Sequence, residues 1–178
     1  PHQRPVMLFR DATEADLPGL LEIHNHAIRT LAGIWIDDEE TLEQRRLWLT
    51  DKRAHNFPVI VAEDEGGTIA GYGAYGTYRG RGGYRLTVEH SVYLLPEAQG
   101  KGAGKALLER LIDIARERGM HAMVAVIDAE NILSIRLHEK FGFVSAGLLP
   151  QLGIKFGQWR DQFQMVLLLD DRQLPPAR

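Results

Sequence analysis

The spacing of hydrophobic residues changes period along the chain, and each change predicts a new element of secondary structure. Apolar residues three and four positions apart predict amphipathic helices at about 17–28, 41–52, 103–117 and 131–140. Runs rich in β-branched and aromatic residues predict strands at 6–10, 58–64, 68–78, 86–95, 123–127, 143–149 and 162–169. The predicted order of elements is therefore β-α-α-β-β-β-α-β-α-β-β.

This order of elements predicts the class of fold. Strands that follow one another closely come first, and Glu65, Gly66 and Gly67 suit a tight hairpin turn between two of them. Strands separated by helices come second, which indicates a mixed sheet in one α+β domain over residues 7–170. Residues 1–6 are predicted to be a lead-in, and residues 171–178 a flexible tail.

The composition narrows the classes of function. The 178 residues carry a formal net charge of -3, without the basic excess typical of nucleic-acid binding, so no nucleic-acid partner is expected. No cysteine occurs, which excludes disulfides and a cysteine nucleophile, and no spacing of His, Asp and Glu indicates a metal site. No apolar run approaches the roughly 20 residues of a membrane span. The sequence therefore predicts a soluble cytoplasmic protein without a membrane partner.

A glycine-rich turn, QGKGAGK, precedes the third predicted helix. Such a turn offers free backbone N–H groups and the positive end of a helix to an anion. A Walker A loop does not fit, because Gln99 stands five positions before Gly104 and Ala106 follows Lys105. The dinucleotide motif G-x-G-x-x-G does not fit either, because Lys105 occupies its last position. What remains is Q-x-x-G-x-G, formed by Gln99, Gly102 and Gly104, or a turn without a ligand.

Two motifs together resemble one family of enzymes. The first is Q-x-x-G-x-G between a strand and a helix. The second is NILSIRLHEKFGF at 131–143, with Asn131, a small residue three positions later, His138 seven positions later, and then Gly-Phe. This combination resembles the GNAT superfamily of N-acetyltransferases over about 9–169. The resemblance implies a GNAT-type fold, with a mixed, mostly antiparallel central sheet flanked by helices.

Within that superfamily, four stretches resemble the phosphinothricin and methionine sulfoximine N-acetyltransferase group. They are GIWID at 33–37, TVEHSVY at 87–93, NILSIRLHEKFGF at 131–143 and PQLGIKFGQWRD at 150–161. The resemblance implies acetyl-CoA as co-substrate, no metal, and a small amino-acid analogue as the acceptor. It also implies a homodimer with sites near its interface, where Lys155, Phe156 and Trp159 are expected to line the pocket or the subunit contact.

The resemblance further implies where acetyl-CoA binds. The glycine turn holds the pyrophosphate through backbone N–H groups, because glycine lets the backbone approach phosphate oxygens and the helix N-terminus supplies a positive field. The strand before the turn parts from the strand at 123–127, and the pantetheine arm fills the gap. The residues expected to contact acetyl-CoA are Val92, Tyr93, Leu94, Gln99, Gly100, Lys101, Gly102, Ala103, Gly104, Lys105, Asn131 and Ser134.

Acetyl transfer to an amine requires a neutral amine, a polarised carbonyl and a protonated leaving thiol. Glu89 is the predicted base. A carboxylate in the middle of a β-favouring strand destabilises the fold when it is buried, so its presence there suggests a function. The alternative is that Glu89 forms a salt bridge. Alternation along the strand places His90 on the opposite face, so His90 is not its partner. His138, where many relatives carry tyrosine, is the candidate for protonating the thiolate, contacting substrate or making a structural hydrogen bond. His24 is expected on a helix surface or cap.

The acceptor is expected to be anionic, because a guanidinium binds a carboxylate through two hydrogen bonds. Arg79 and Arg85, which flank the loop RGRGGYR, match arginines of the resembled group and are expected to contact a carboxylate or phosphinate. Trp35 and Tyr78 are expected to wall the side-chain pocket. Two alternatives stay open: the same fold acting on a polyamine, an antibiotic or a protein N-terminus, and an acyl-CoA sensor without catalysis.

Overall fold

The structure, a computed structural model, describes residues 6–178, and these residues form seven strands and four α-helices. The strands are β1 (Leu8–Asp11), β2 (Val59–Glu63), β3 (Ile69–Thr77), β4 (Thr87–Leu94), β5 (Ala122–Asp128), β6 (Val144–Lys155) and β7 (Gln158–Leu168). The helices are α1 (Leu17–Thr30), α2 (Leu42–Ala54), α3 (Ala103–Glu117) and α4 (Ile132–Lys140). These elements follow one another in the predicted order. Residues 1–5 of the predicted lead-in lie outside the described residues.

All seven strands belong to one sheet, in the order β1-β2-β3-β4-β5-β7-β6. Neighbouring strands are antiparallel except β4 and β5, which run parallel because the crossover helix α3 connects them. The sheet is therefore mixed and mostly antiparallel, and the predicted α+β class is confirmed.

The parallel pair of β4 and β5 is short and then opens. Only three residue pairs join the two strands, the last of them Glu89 with Val124, although β4 continues to Leu94 and β5 to Asp128. No other strand in residues 6–178 pairs with the two edges that face each other beyond this point. The strands therefore part, as the resemblance implied, and the walls of the gap are unpaired strand edges.

Apolar side chains of α3 and α1 cover the two faces of the sheet. On one face, Leu111 of α3 packs with Val88 of β4 in the larger core. On the other face, Leu20 of α1 packs with Tyr72 of β3, and Tyr93 of β4 lies against this second core. A buried side chain of this size contributes roughly 1.5–3 kcal/mol, so the two layers hold β4 between them. Alternate residues of β4 thus face opposite cores, as predicted.

The hairpin of β6 and β7 is longer than its sequence suggests. The prediction of short strands at 143–149 and 162–169 is wrong, because the two strands continue to a two-residue turn formed by Phe156 and Gly157. Their φ angles of 52° and 70° are those of a type I′ hairpin turn. Pro150 has the sequence signature of a strand breaker, but β6 is an edge strand, where proline is tolerated.

Two contacts join this hairpin to the loop between α1 and α2. The ring of Trp35 lies against Gly153 of β6, where an added methyl group would come within 2.6 Å of three ring atoms. The buried side chain of Lys155 donates hydrogen bonds to the main-chain oxygens of Ile28, at 2.7 Å, and Ile36. The loop is therefore fixed where it borders the gap between β4 and β5.

Candidate active site

A cleft of about 750 Å³ occupies the gap between β4 and β5. Its walls are the second half of β4, the end of β5, the glycine turn at the N-terminus of α3, the helix α4, and residues 31–34 of the loop after α1. Because strand edges are unpaired here, the walls offer backbone hydrogen-bonding groups as well as side chains. The cleft is therefore suited to an extended polar ligand.

The glycine turn forms one end of the cleft. Gly100 and Gly102 have φ angles of 75° and 84°, in the left-handed region that residues with a side chain rarely adopt. A methyl group at either position would meet nothing within 4 Å, so open space lies in front of this backbone. Gly102 is the N-cap of α3 and has no side chain to accept from the N–H groups of the first turn. These N–H groups and the helix dipole together suit the binding of an anion.

Most of the predicted cofactor residues lie on the wall of this cleft. The ones that line it are Val92, Tyr93, Leu94, Gln99, Gly100, Gly102, Gly104, Lys105, Asn131 and Ser134. Lys101 is exposed beside the turn, and the side chain of Ala103 is buried beneath it. Asn131 also has a structural role, because its Oδ1 accepts a hydrogen bond from the N–H of Ser134 at 3.2 Å and caps α4.

Glu89 lies half-buried at the point where β4 and β5 part. Its register partner on β3 is Gly76, and a side chain at Gly76 would collide with Nζ of Lys52 from α2. Lys52 Nζ also donates a hydrogen bond of 3.1 Å to the main-chain oxygen of Tyr75. Burial raises the pKa of Glu89, and the positive charge of Lys52 opposes that rise. A carboxylate with a raised pKa is a stronger base, which suits it to accept a proton near neutral pH.

His138, the other predicted catalytic residue, lies buried in the cleft wall against His90. Their Nε2 atoms are 2.9 Å apart, and Nδ1 of His138 is 2.7 Å from the main-chain oxygen of Ser134. Burial lowers the pKa of His138; burial, with a contribution from His138, lowers the pKa of His90 to about 3. Both rings are therefore neutral at pH 7, and the partner of His90 is His138 rather than Glu89.

The predicted acceptor-binding side chains lie outside the lining of this cleft. The guanidinium of Arg79 lies over the ring of Tyr78, 5.4 Å from its centroid. Arg85 lines a separate pocket of about 280 Å³, together with residues of the segment that follows β7. Trp35 packs on Gly153 instead, although the residues just before it reach the cleft. The two arginines thus have different surroundings.

The cleft wall contains an ion pair that the sequence hardly indicates. Arg160 of β7 donates two hydrogen bonds to Asp128 at the end of β5, with Nε to Oδ2 at 2.8 Å and Nη2 to Oδ1 at 2.9 Å. Burial, the largest single effect, would raise the pKa of Asp128, but the hydrogen bonds from Arg160 and from the N–H of Glu130, together with the charge of Arg160, lower it. Asp128 therefore stays ionised, and its position directly after a buried strand is its only cue in the sequence.

The expectation that His24 lies on a helix surface is wrong. Its side chain is buried, and its Nδ1 lies 3.1 Å from the hydroxyl of Tyr72. That hydroxyl accepts a hydrogen bond from Arg45, which also donates two hydrogen bonds to Glu40 at 2.7 and 2.8 Å. Burial, and then the charge of Arg45, lower the pKa of His24 to about 4. This network ties both helices of the N-terminal half to the sheet beside the cleft.

No group of three or more His, Asp or Glu side chains in residues 6–178 is arranged to hold a metal ion. The helices of that part of the chain include none both long and apolar enough to cross a membrane. The groups that line the cleft are backbone N–H groups and two imidazoles, and the half-buried carboxylate of Glu89 belongs to the residue of β4 just before the lining begins.

The parted central strands, the glycine turn at a helix N-terminus and the carboxylate at the fork define the class of acyltransferases with a GNAT fold. The sequence model of the Acetyltransferase (GNAT) family matches residues 20–143. The chain therefore belongs to the GNAT acetyltransferase family, and the resemblance inferred from its motifs is confirmed.

Named relatives match almost the whole chain. It is 45% identical over 171 residues to the L-methionine sulfoximine/L-methionine sulfone acetyltransferase of Salmonella typhimurium. This match covers 96% of this chain and 99% of that protein. It is 36% identical to the phosphinothricin N-acetyltransferase of Streptomyces viridochromogenes, over 90% of this chain and 86% of that one. A structure of yncA from Salmonella typhimurium with its cofactor acetyl-CoA has a TM-score of 0.93 and 44% identity, covering 97% and 99% of the two chains. These matches confirm the predicted fold and enzyme class.

The contact between Lys52 and the surroundings of Glu89 gives a testable prediction. Replacing Lys52→Gln keeps a donor near the Tyr75 oxygen but removes the charge that lowers the pKa of Glu89. We therefore expect the pKa of Glu89 to rise further, because burial then acts unopposed. Titration of the Glu89 side-chain carboxyl by carbon NMR measures this, with Lys52→Arg as the control that keeps the charge. An unchanged or lower pKa in Lys52→Gln would contradict the assignment.

Proposed function

We propose that this acetyltransferase moves the acetyl group of acetyl-CoA to the α-amine of a small amino-acid analogue, of the methionine sulfoximine, methionine sulfone or phosphinothricin type. The relatives that carry those names are 45% and 36% identical to it. One observation carries the proposal: the cleft follows the free edge of β4 from the glycine turn toward Glu89. A thioester bound along this edge therefore ends beside a half-buried carboxylate.

Acetyl-CoA suits the groups that the cleft offers. In the proposal, the backbone of residues 99–105 binds the pyrophosphate, which the open space at Gly100 and Gly102 and the free N–H groups of the first turn of α3 support. The free edge of β4 at residues 92–94 hydrogen-bonds the pantetheine arm and polarises the thioester carbonyl. Asn131 and Ser134 form the α4 side of the same site.

The proposed reaction is a direct transfer. Glu89 accepts a proton from the substrate ammonium, directly or through one water, and leaves an amine with a free electron pair. The amine nitrogen attacks the thioester carbonyl carbon, a C–N bond forms, and the C–S bond breaks. The nitrogen of the adduct loses its surplus proton, and His138 passes this proton to the departing thiolate sulfur, which leaves as a thiol. The raised pKa of Glu89 and its position at the fork of β4 and β5 support its role as the base.

The proposed acceptor carries an anionic group. Arg79 and Arg85 contact its carboxylate or phosphinate, and Trp35 and Tyr78 wall its side chain. Since these four residues lie outside the lining of the cleft, the proposal requires the acceptor to approach from the side of the loop after β3. We place the enzyme in the cytoplasm, and resistance to an amino-acid analogue is the expected consequence of acetylating its amine.

We also propose that the enzyme is a homodimer in which the β6–β7 hairpin forms part of the contact. Ile154 and Trp159 are cross-strand neighbours on this hairpin, and their side chains are 57% and 65% exposed. Phe156, at the turn, is also 57% exposed. An exposed apolar stripe of this kind is more typical of a protein contact than of free surface. The buried Lys155 fixes the base of the same hairpin, which supports a rigid contact surface.

A screen of acceptors tests the proposed function. Thiol release from acetyl-CoA is measured with methionine sulfoximine, methionine sulfone, phosphinothricin, polyamines and peptides. The three amino-acid analogues are expected to be acetylated with the highest kcat/KM, because only they match both the amine and the anionic group. Glu89→Gln is expected to lower kcat by about 10²- to 10⁴-fold. The control is Glu22→Gln, on the exposed side of α1, which is expected to leave kcat unchanged. A higher kcat/KM for polyamines, or no thiol release with any acceptor, would contradict the proposal.

The acetyl-CoA site is tested by a pair of glycine substitutions on the same helix. Gly102, at the start of α3, and Gly119, just after its end, both have a left-handed backbone and open space around them. Each change to alanine is therefore expected to lower the free energy of unfolding by about 1–2 kcal/mol. Only Gly102→Ala is expected to raise the KM for acetyl-CoA, by about tenfold, which equals ~1.4 kcal/mol. Equal KM values in the two variants would show that the turn does not bind the donor.

The proposed dimer predicts a mass in solution of twice 20.0 kDa. Trp159→Lys is expected to shift the sedimentation equilibrium toward the monomer, because it places a charge in an apolar contact. The matched control is Leu47→Lys, which changes a side chain on α2 that is 60% exposed. A wild-type protein that sediments as a monomer at micromolar concentration would contradict the dimer.

A further inference from the structure

A buried lysine at the end of β6 has no carboxylate partner. The side chain of Lys155 is only 2% exposed, and no carboxylate of residues 6–178 forms an ion pair with it. Its ammonium group instead donates hydrogen bonds to the main-chain oxygens of Ile28, at 2.7 Å, and Ile36, and it lies 5.1 Å from the centroid of the Phe156 ring. Taking an ammonium group out of water destabilises a fold unless its new partners compensate. The two carbonyl groups are therefore the partners that account for a lysine at this position.

The two oxygens belong to the two ends of one segment. Ile28 lies in the last turn of α1, where carbonyl groups have no partner within the helix and the helix dipole favours a positive charge. Ile36 lies in the loop between α1 and α2, and residues 29–35 separate the two oxygens. No other donor in the described part of the chain bonds to either oxygen. One ammonium group therefore holds both ends of the segment 29–35.

The middle of this segment is held from the same strand. The ring of Trp35 lies against Gly153, and its Nε1 donates a hydrogen bond of 2.9 Å to the main-chain oxygen of Ala32. Gly153 and Lys155 are two residues apart on β6, so they face the same side of the hairpin, and both are buried. Residues 31–34 of the segment line the cleft, whereas Lys155 itself does not. One side of β6 therefore fixes a wall of the cleft without touching its contents.

This wall lies on the face of the sheet to which Glu89 points. Alternation along β4 puts Glu89 on the same face as Tyr93, and Tyr93 packs against the small core that α1 forms with Ile34 of the loop. The helix α3, with the glycine turn at its N-terminus, covers the other face. In the proposed function the donor binds at the glycine turn, and the amine gives its proton to Glu89. The acceptor therefore enters on the α1 face, past residues 31–34.

The loop also reaches across the gap between the parted strands. A methyl group added to Gly33 would lie 3.6 Å from Cβ of Asp128, at the end of β5. The loop thus begins at α1 on one side of the cleft and approaches β5 on the other. Its position therefore determines how much room the cleft has on the acceptor side.

We infer that Lys155 is a positioning residue for the acceptor: its ammonium group holds residues 31–34 where they form the acceptor side of the cleft. This inference rests on the proposed function, which puts the amine of the acceptor beside Glu89. Lys155 contacts neither substrate, and its effect passes through the loop. Binding of the acceptor therefore depends on this lysine, and binding of acetyl-CoA at the glycine turn does not.

A role in stability alone explains this lysine less well. A methionine in its place would fill most of the same buried space without an ammonium group that has lost its water. The property that methionine lacks is the pair of hydrogen bonds to the oxygens of Ile28 and Ile36. These oxygens flank the segment that forms the cleft wall, so the lysine acts on this wall rather than on the apolar cores.

Kinetics of Lys155 variants test the inference. Lys155→Met keeps most of the length of the side chain and removes both hydrogen bonds. It is expected to raise the KM for methionine sulfone by about tenfold, on the scale of one lost hydrogen bond to a charged group, while the KM for acetyl-CoA stays within about twofold. Lys155→Arg, which can donate to both oxygens, is expected to have an acceptor KM between those of the wild type and Lys155→Met. The control is Lys140→Met, which changes an exposed lysine at the end of α4 and is expected to change neither KM.

A second variant tests the same loop where Lys155→Met does not fold. Gly153→Ala leaves the side chain of Lys155 in place, but its methyl group would come within 2.6 Å of three ring atoms of Trp35 and displaces that ring. Because the loop is then moved from the same strand, the KM for methionine sulfone is again expected to rise while the KM for acetyl-CoA does not.

Proton–nitrogen NMR follows the loop without any substrate. The indole N–H of Trp35, identified by its absence from Trp35→Phe, is expected to exchange with solvent about tenfold faster in Lys155→Met than in the wild type, while the amides of α3 exchange at unchanged rates. Unchanged exchange of this indole, equal rises in both KM values, or an unchanged acceptor KM in Lys155→Met and Gly153→Ala would each overturn the inference. A wild-type protein that acetylates no acceptor would instead reject the proposed function, because the exchange result does not depend on turnover.

Discussion

The separation of β4 from β5 is the constraint on which the rest of this structure depends. Beyond the pair of Glu89 with Val124, both strands have an edge without a partner strand, and unpaired backbone groups in a protein interior destabilise a fold. A gap of this kind is stable when water or a polar ligand satisfies those groups. The same separation brings the glycine turn, α4 and the loop after α1 around one space, so the fold builds its site where the sheet is weakest.

The carboxylate and the two imidazoles at the fork respond to burial in opposite senses. Desolvation disfavours the charged form of each, so it raises the pKa of Glu89 and lowers the pKa values of His90 and His138. Burial thus makes the carboxylate a stronger base and keeps both imidazoles neutral. At Glu89 alone, the positive charge of Lys52 opposes the effect of burial and limits the rise of the pKa, which favours the ionised carboxylate. The charges of the site are thus set by the helices that pack on each face of β4 as much as by β4 itself.

Sequence periodicity predicts the elements well because it depends on neighbours within a few residues. The alternation along β4 correctly separates Val88 from Tyr93, and the glycine turn lies at the N-terminus of α3. The β6–β7 hairpin extends further than predicted, because its strand pairing continues past Pro150, which an edge strand tolerates. His24 is misplaced for a similar reason, since its partner Tyr72 is 48 residues away in the chain.

The sequence by itself determined the order of elements, the family, the turn that suits a pyrophosphate and the strand that carries Glu89. Those features depend on residue type and short-range spacing, which a chain contains before it folds. Only the tertiary structure decided where β4 and β5 part, that Lys52 lies beside Glu89, and that His90 faces His138. These contacts join residues 35 to 48 positions apart in the sequence, and their distances exist only once the helices have packed on the two faces of the sheet.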